Sequence, residues 1–120
     1  MLFDLNTGNQ SISVIIPVLN EKENLQELYK KLNSTISIYN NSEIIFIDDG
    51  STDNTFEILR GLHEIDKSIK IIRFRRNFGQ TAALAAGFEY ARGDIIITMG
   101  AGDIWKYGEK FVELLKEEKH

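Results

Sequence analysis

The stretch Glu43–Asp53 reads EIIFIDDGSTD, and it joins a continuous apolar run to two acids, a glycine and a group of cap-forming residues. Continuous rather than alternating apolar residues are typical of a strand that is buried on both faces, as in a parallel sheet. Further runs of the same type occur at Ser11–Val18, Ile69–Phe74 and Asp94–Met99. The sequence therefore predicts four strands of one parallel sheet.

Helical patterns of apolar residues separate these strands, at about residues 21–38, 53–65 and 78–91, and a last one follows at 107–118. Asn20 is predicted to cap the first helix, and Ser51, Thr52 or Asp53 the second. Alternating strands and helices give parallel pairing, right-handed crossovers and helices on both faces. We therefore expect an α/β fold: a three-layer sandwich around a four-stranded, Rossmann-like parallel sheet.

Composition limits the class of protein. The chain has 120 residues, a net charge of −4 and no cysteine, so we expect one domain at residues 11–120 behind a leader at residues 1–10. The lack of cysteine excludes a disulfide scaffold, and the acidic balance argues against a nucleic-acid partner. No apolar run reaches the roughly 18–20 residues of a membrane span, and no signal-peptide pattern opens the sequence. We therefore expect a cytoplasmic location.

Candidate site residues follow the second strand. In open α/β sheets, ligands bind beyond the carboxyl ends of the strands. Asp48 and Asp49 lie at such an end, and a carboxylate there can accept hydrogen bonds from a base N–H or a ribose hydroxyl. Capping explains Asp49 less well, because one helix start needs one cap and Ser51 or Asp53 can supply it.

The third and fourth strands end in further candidates. Arg73, Arg75 and Arg76 can contact a diphosphate or form a solvated strand end. The turn Gly100–Gly102, Gly-Ala-Gly, can cradle a phosphate on its backbone N–H groups or be a tight turn, although it matches neither the dinucleotide nor the P-loop signature. Asp103 is a candidate cap for the last helix or a ligand for a divalent cation.

Together these motifs resemble the first half of family-2 inverting glycosyltransferases with the GT-A fold, over Ser11–Met99. The most similar subgroup transfers sugars from nucleotide donors to polyprenyl phosphates, as dolichol-phosphate mannosyltransferases do. The residues that carry the resemblance are Val14–Pro17, Asn20-Glu21, Glu23–Leu25, Ile47–Asp53, Arg76–Gln80, Ala83–Gly87 and Arg92–Asp94.

The resemblance implies a strand order of 3-2-1-4 and a bound nucleoside diphosphate sugar. Pro17, Leu19 and Glu21 would line the base and ribose pocket, and Asp49 would bind the base. Asp48 and Arg76 follow the second and third strands beside the same crevice, and we add them as candidates. The predicted nucleotide-binding residues are therefore Pro17, Leu19, Glu21, Asp48, Asp49 and Arg76.

The resemblance weakens at the end of the fourth strand. There the family carries an Asp-x-Asp motif that holds a divalent cation, Mg²⁺ or Mn²⁺, on the donor diphosphate, whereas this sequence has Gly100–Gly102. Asp103 is the one candidate metal ligand, so we expect weak metal dependence.

In the resembled family an acceptor half with the general base follows this point, and this sequence ends about twenty residues later. We therefore assign no catalytic residue and expect donor binding without turnover.

The tail has a second resemblance. Gly93–Lys106, with Gly108 and Glu109, is similar to the last strand and helix of Mur ligases such as UDP-N-acetylmuramate–alanine ligase. Our hypothesis is a chimera, in which residues 11–99 are transferase-like and residues 100–120 form a ligase-like closing helix. Two alternatives are a stand-alone nucleotide- or phosphate-binding module and a structural protein without an enzymatic role. We also expect a homodimer if an apolar patch stays exposed.

Overall fold

The computed structural model describes residues 11–37, 39 and 41–100, and these form a sheet with helices on both faces. In chain order the elements are β1 (Ile12–Val18), α1 (Leu25–Ile36), β2 (Glu43–Asp48), α2 (Thr55–Ile65), β3 (Ile69–Arg73), α3 (Gln80–Tyr90) and β4 (Ile95–Thr98). All pairings are parallel, in the order β3-β2-β1-β4. The predicted fold class and strand order are confirmed. The predicted leader and closing helix lie outside the described residues.

The larger part of the core lies between one face of the sheet and the helices α1 and α2. Successive side chains of a strand point to opposite faces, so alternate residues of β1 and β2 belong to this core. Its fully buried members include Val14, Ile16, Ile44, Phe46, Leu25, Leu28 and Leu59. Apart from the half-buried Pro17, the other residues of β1 and β2 are buried as well, which is why these strands are mostly apolar rather than alternating.

On the opposite face, α3 packs closely on β1 and β2. Ala83 is fully buried against this face, in one cluster with Ile15 and Ile47. A Cβ at Gly87 would overlap the Cγ2 of Ile15 and lie 3.1 Å from the Cδ1 of Ile47. Small residues on α3 therefore set how near its backbone comes to the sheet.

Some apolar side chains of α3 and β4 stay exposed: Phe88, Tyr90 and Ile96. The expected homodimer remains a prediction, since nothing observed here tests it. Within the described ranges, no helix has the length and apolar character needed to cross a bilayer.

The predicted cap at Asn20 is wrong. Helix α1 begins at Leu25, because Glu21–Asn24 first form a turn in which the Asn24 N–H donates to the Glu21 carbonyl at 3.0 Å. Asn20 has a positive φ of 53°, and its side chain turns away to the loop after β2. At the start of α2, Asp53 does act locally: its Oδ1 accepts the N–H of Thr55 at 2.8 Å.

Candidate functional site

The loops after β1 and β2 are tied together at the carboxyl edge of the sheet. The Oδ1 of Asn20 accepts the N–H groups of Thr52, at 2.9 Å, and Asp53, at 3.2 Å. In return, the Asn20 N–H donates to the Ser51 hydroxyl at 2.9 Å. The Glu21 N–H donates to the Thr55 hydroxyl at 2.9 Å. Asn20 therefore fixes the position of the chain that follows β1.

Asp49 holds the loop after β3. Asp49 is 5% exposed as a residue, and its carboxylate accepts the Phe78 N–H on Oδ1 at 2.8 Å. On Oδ2 it accepts the Gly79 N–H at 3.1 Å and the Asn77 Nδ2 at 3.2 Å. Three donors from one loop neutralise much of the cost of burying this charge. Asp49 is thus an organising residue of the site as well as a predicted ligand.

Gly50 allows the same two loops to approach each other. Its φ is +79°, in the left-handed region that glycine favours, and a Cβ there would lie 2.7 Å from the Cα of Arg76. A side chain at this position would push the loop after β3 away from the loop after β2. The glycine between the acids and the capping residues is therefore required by the packing of two backbones.

These loops enclose an open cleft of about 250 Å³ at the carboxyl edge. Its walls are formed by Pro17, Val18, Leu19, Asp49, Asn77, Gly79 and Gln80. Leu19 is 43% exposed, although it directly follows a buried strand. The structure therefore brings three predicted residues, Pro17, Leu19 and Asp49, into one cleft that has an apolar wall and a carboxylate. Their role in nucleotide binding stays a prediction.

The other three predicted residues do not line this cleft. Asp48 is fully buried, and its Oδ1 accepts the Ser51 N–H at 2.9 Å, while its Oδ2 is buried without a hydrogen-bond partner in the described part of the chain. The Glu21 Oε2 accepts the Asn24 side-chain amide at 2.9 Å. Asp48 and Glu21 therefore shape the loops, and their predicted contacts with a nucleotide remain untested.

Two arginines at the end of β3 lie on aromatic rings. The guanidinium of Arg73 lies 3.9 Å from the ring centre of Phe56, and that of Arg76 lies 4.6 Å from the ring centre of Phe78. Phe78 in turn meets Phe74 edge to face, with centroids 5.6 Å apart. Cation–π contacts of this kind hold a guanidinium in place while leaving its N–H donors available. The contact with Phe78 therefore positions the Arg76 guanidinium at the loop that Asp49 organises.

Sequence reasoning did not assign Asn77 and Gln80 to the site. Both line the cleft, and Asn77 contacts Asp49 directly. The sequence feature that could have indicated them is the segment Arg76–Gln80, in which polar residues follow a strand and lead into a helix.

The described residues do not form a metal site. Among residues 11–37, 39 and 41–100, no three histidine, aspartate or glutamate side chains are grouped so that they can hold a metal ion. Asp48 is fully buried and Asp49 accepts three donors from the loop after β3, and Gly100, which follows β4, has no side chain to offer. Asp103, the predicted metal ligand, lies outside the described residues. The carboxylates and imidazoles of the described residues therefore do not form a set that fits a divalent cation.

A second polar cluster lies at the opposite edge of the sheet. Glu43 is 7% exposed, and its Oε2 accepts the Ser13 hydroxyl at 2.7 Å and the Arg92 N–H at 2.9 Å. Lys70 approaches its Oε1 at 3.5 Å. Burial by itself raises the pKa of Glu43, but these donors outweigh burial and hold that pKa below its ordinary value. The cluster joins the chain between α3 and β4 to the start of β1 and β2.

Comparison with known proteins shows the family. The family model described as glycosyl transferase family 2 matches residues 13–120. The chain belongs to glycosyltransferase family 2. The glycosyltransferase YkcC of Bacillus subtilis, itself uncharacterised, is 38% identical over 108 residues, which cover 89% of this chain and 33% of that protein.

Another relative carries an activity in its name. The undecaprenyl-phosphate 4-deoxy-4-formamido-L-arabinose transferase of Salmonella choleraesuis is 42% identical over 94 residues, covering 77% of this chain and 29% of that protein. The chain therefore spans about a third of the length of the curated family-2 relatives that it matches.

Solved structures agree on the fold. The mannosyltransferase PcManGT from Pyrobaculum calidifontis, in complex with GDP-Man and Mn²⁺, superposes with a TM-score of 0.69 at 23% identity, covering 78% of this chain and 28% of that one. S. aureus TarS in complex with UDP gives 0.67 at 23% identity, covering 76% and 27%. At this identity the likeness shows the GT-A type of fold alone. The family match includes residues 100–120, and the predicted junction with a ligase-like tail remains untested.

Proposed function

We propose that this chain is the part of a family-2 glycosyltransferase that binds the nucleotide-sugar donor. The whole protein would transfer that sugar to a polyprenyl phosphate or a similar acceptor. The observation that carries the proposal is the cleft in which Pro17, Leu19 and Asp49 meet. The names of similar proteins support it, because solved neighbours hold GDP-Man or UDP and a relative is named for undecaprenyl phosphate.

The chemistry of the cleft suits a nucleoside. A base has apolar faces and polar edges, and the cleft offers Pro17 and Leu19 beside the buried carboxylate of Asp49. A hydrogen bond from a base N–H to that carboxylate would be charge-assisted. Arg76, on the neighbouring loop, supplies a positive charge for the diphosphate. Apolar contact, a fixed acceptor and a nearby cation are what a nucleoside diphosphate requires.

We further propose that the 120 residues bind the donor with little help from a metal and without transferring the sugar. The two positions at which the resembled family places acids after β4 are glycines here, Gly100 and Gly102. A cation on the diphosphate would then have Asp103 as its candidate protein ligand at this turn, and one carboxylate holds Mg²⁺ or Mn²⁺ only when substrate phosphates and water complete the coordination.

Isothermal titration calorimetry with UDP and GDP tests donor binding. A site this open should bind one of them in the high micromolar to millimolar range, about −4 to −6 kcal/mol. Asp49→Ala should weaken binding about ten-fold or more, because a charge-assisted hydrogen bond is worth roughly 1.5–3 kcal/mol. It should also loosen the loop at Phe78 and Gly79, which lose their acceptor.

Asp53→Ala is the matched control. Its carboxylate accepts the Thr55 N–H at the start of α2 and does not line the cleft, so the variant should lose about 1 kcal/mol of stability and keep its nucleotide affinity. Thermal unfolding followed by circular dichroism confirms that both variants are folded at the titration temperature. The proposal fails if neither nucleotide binds the wild-type chain, or if Asp49→Ala binds as tightly as Asp53→Ala.

A further inference from the structure

Asp49 enters the cleft with most of its acceptor capacity already used. A carboxylate has two oxygens and about four acceptor positions, two on each oxygen. On Oδ2 both positions are filled, by the Gly79 N–H and the Asn77 side-chain amide. On Oδ1 one position is filled, by the Phe78 N–H. The described residues therefore leave one acceptor position open, and it belongs to Oδ1.

The bases differ in how many donors they present side by side. Guanine presents two adjacent donors, its ring N1–H and its amino group, and pairs with a carboxylate through both oxygens at once. Uracil and thymine present one ring N–H, which lies between two carbonyl oxygens. Cytosine and adenine present an amino group beside a ring nitrogen whose lone pair would face the carboxylate. The single free position on Asp49 therefore matches uracil and thymine.

Guanine would meet a cost in this cleft. Its second donor can reach Oδ2 only by displacing the Asn77 amide, which would lose its 3.2 Å bond to the carboxylate and keep only a long contact, 3.4 Å, with the backbone carbonyl of Asp49. A polar group left unpaired on binding costs more than a hydrogen bond gains, which is how sites reject ligands with the wrong donors.

Gln80 completes the match on the other side of the base. It is the first residue of α3, it lines the cleft, and its carboxamide can donate to a base carbonyl. An acceptor on Asp49 and a donor on Gln80 are complementary to a ring N–H next to a carbonyl, which uracil, thymine and guanine share and cytosine and adenine lack. Discrimination against guanine therefore rests on Asp49 and Asn77.

We propose that this cleft selects a nucleoside diphosphate whose base carries a single imide N–H, uracil or thymine, over guanine and cytosine. The selection rests on the proposed function, since it assumes that the cleft binds the base. Asn77 is the positioning residue of this selection, because it occupies the acceptor site that guanine needs.

The test is calorimetric titration of the 120-residue chain, without metal, with UDP, dTDP, GDP and CDP. The diphosphate is common to all four and the ribose to UDP, GDP and CDP, so the affinity ratios among these three report on the base. UDP and dTDP should each bind about ten-fold more tightly than GDP and CDP. A fifth titration, with dUDP, which differs from UDP only at the 2′ position, separates a preference for the ribose 2′-hydroxyl from recognition of the base edge.

Asn77→Ala tests the count of acceptors. It removes one donor from Oδ2, so the preference for UDP over GDP should shrink several-fold, mainly through a gain in GDP affinity. Asn54→Ala is the control, because Asn54 is exposed, makes no side-chain cap hydrogen bond and does not line the cleft. It should keep the wild-type ratio.

Each outcome decides a different point. GDP binding as tightly as UDP to the wild-type chain would overturn the selection and leave the proposed function standing. Binding of none of the four nucleotides would overturn both. An unchanged ratio in Asn77→Ala, with circular dichroism showing a folded protein, would overturn the part assigned to Asn77.

Discussion

Replacing Gly87 by alanine should destabilise the protein, although alanine is the better helix former. Gly87 lies in α3, where its missing Cβ lets the helix approach β1 and β2. An added Cβ would overlap the Cγ2 of Ile15 and lie 3.1 Å from the Cδ1 of Ile47. Carbon atoms in contact prefer about 3.5–4.0 Å. Both isoleucines are fully buried, so neither can move without disturbing its neighbours.

The magnitude follows from two opposed effects. Gly→Ala within a helix gains about 1 kcal/mol of intrinsic helix stability, and overpacking a tight core costs about 1–3 kcal/mol. Gly61 supplies the matched control, since it lies in α2 and an added Cβ there meets no atom within 4 Å. Because the helix gain is common to both variants, the difference between them isolates the overpacking. Gly61→Ala should exceed Gly87→Ala in stability by about 1–3 kcal/mol.

Urea unfolding followed by far-UV circular dichroism measures this difference. The three proteins should share one m-value, so that the shift in midpoint reports stability alone. Gly61→Ala should unfold at higher urea than the wild type, and Gly87→Ala at lower urea. If Gly87→Ala were as stable as Gly61→Ala, the close packing of α3 on the sheet would be refuted.

Three further predictions concern the site and the opposite edge. Gly50→Ala should weaken nucleotide binding in calorimetry and destabilise the chain, because its Cβ would press on the backbone of Arg76; an unaltered protein would rule out that close approach. The pKa of Glu43 is lowered in the folded state, so its ionised form stabilises the fold above about pH 4.3, and this stability is lost as the pH falls through the lower folded pKa. Glu43→Gln should therefore show a shallower loss of melting temperature below that pH, and an equal slope in both proteins would contradict it. Mn²⁺ should change the nucleotide affinity of the wild type little, whereas the double variant Gly100→Asp/Gly102→Asp should bind nucleotide in a metal-dependent way without transferring sugar. Strong manganese dependence of nucleotide binding in the wild type would contradict the expectation that Asp103 alone holds the cation weakly.

The strands could be predicted from the sequence because both sides of the sheet are covered. Burial on two faces makes β1 and β2 continuously apolar, and that pattern is local enough to read directly. The order of the strands depends on pairing between segments that are distant in the sequence, and an apolar run does not indicate which other run it pairs with. The order 3-2-1-4 came from the resemblance to a known family, and the pairing of β4 with β1 confirms it.

The location of the site at the carboxyl ends of the strands could be predicted from the sequence, but most of its hydrogen bonds could not. Asp48 is the last residue of β2 and Asp49 is the first residue of the loop that follows. The side chain of Asp48 is fully buried, whereas Asp49 lines the cleft. The partners of Asp49 lie 28 to 30 residues further along the chain, and no local rule connects them. Asn20 shows the same limit: a cap is a local expectation, and its real partners lie 32 and 33 residues away.

The most direct test of donor binding in this cleft is a two-dimensional ¹H–¹⁵N NMR titration of the chain with UDP. The backbone N–H groups of Phe78 and Gly79 donate to Asp49, so their signals should shift progressively as the base takes the free position on that carboxylate. At the opposite end of the strands the Arg92 N–H donates to Glu43 and the Gly93 N–H to the Ser13 hydroxyl, so the signals of these two residues should stay in place. Shifts at Arg92 and Gly93 with none at Phe78 and Gly79 would contradict the account.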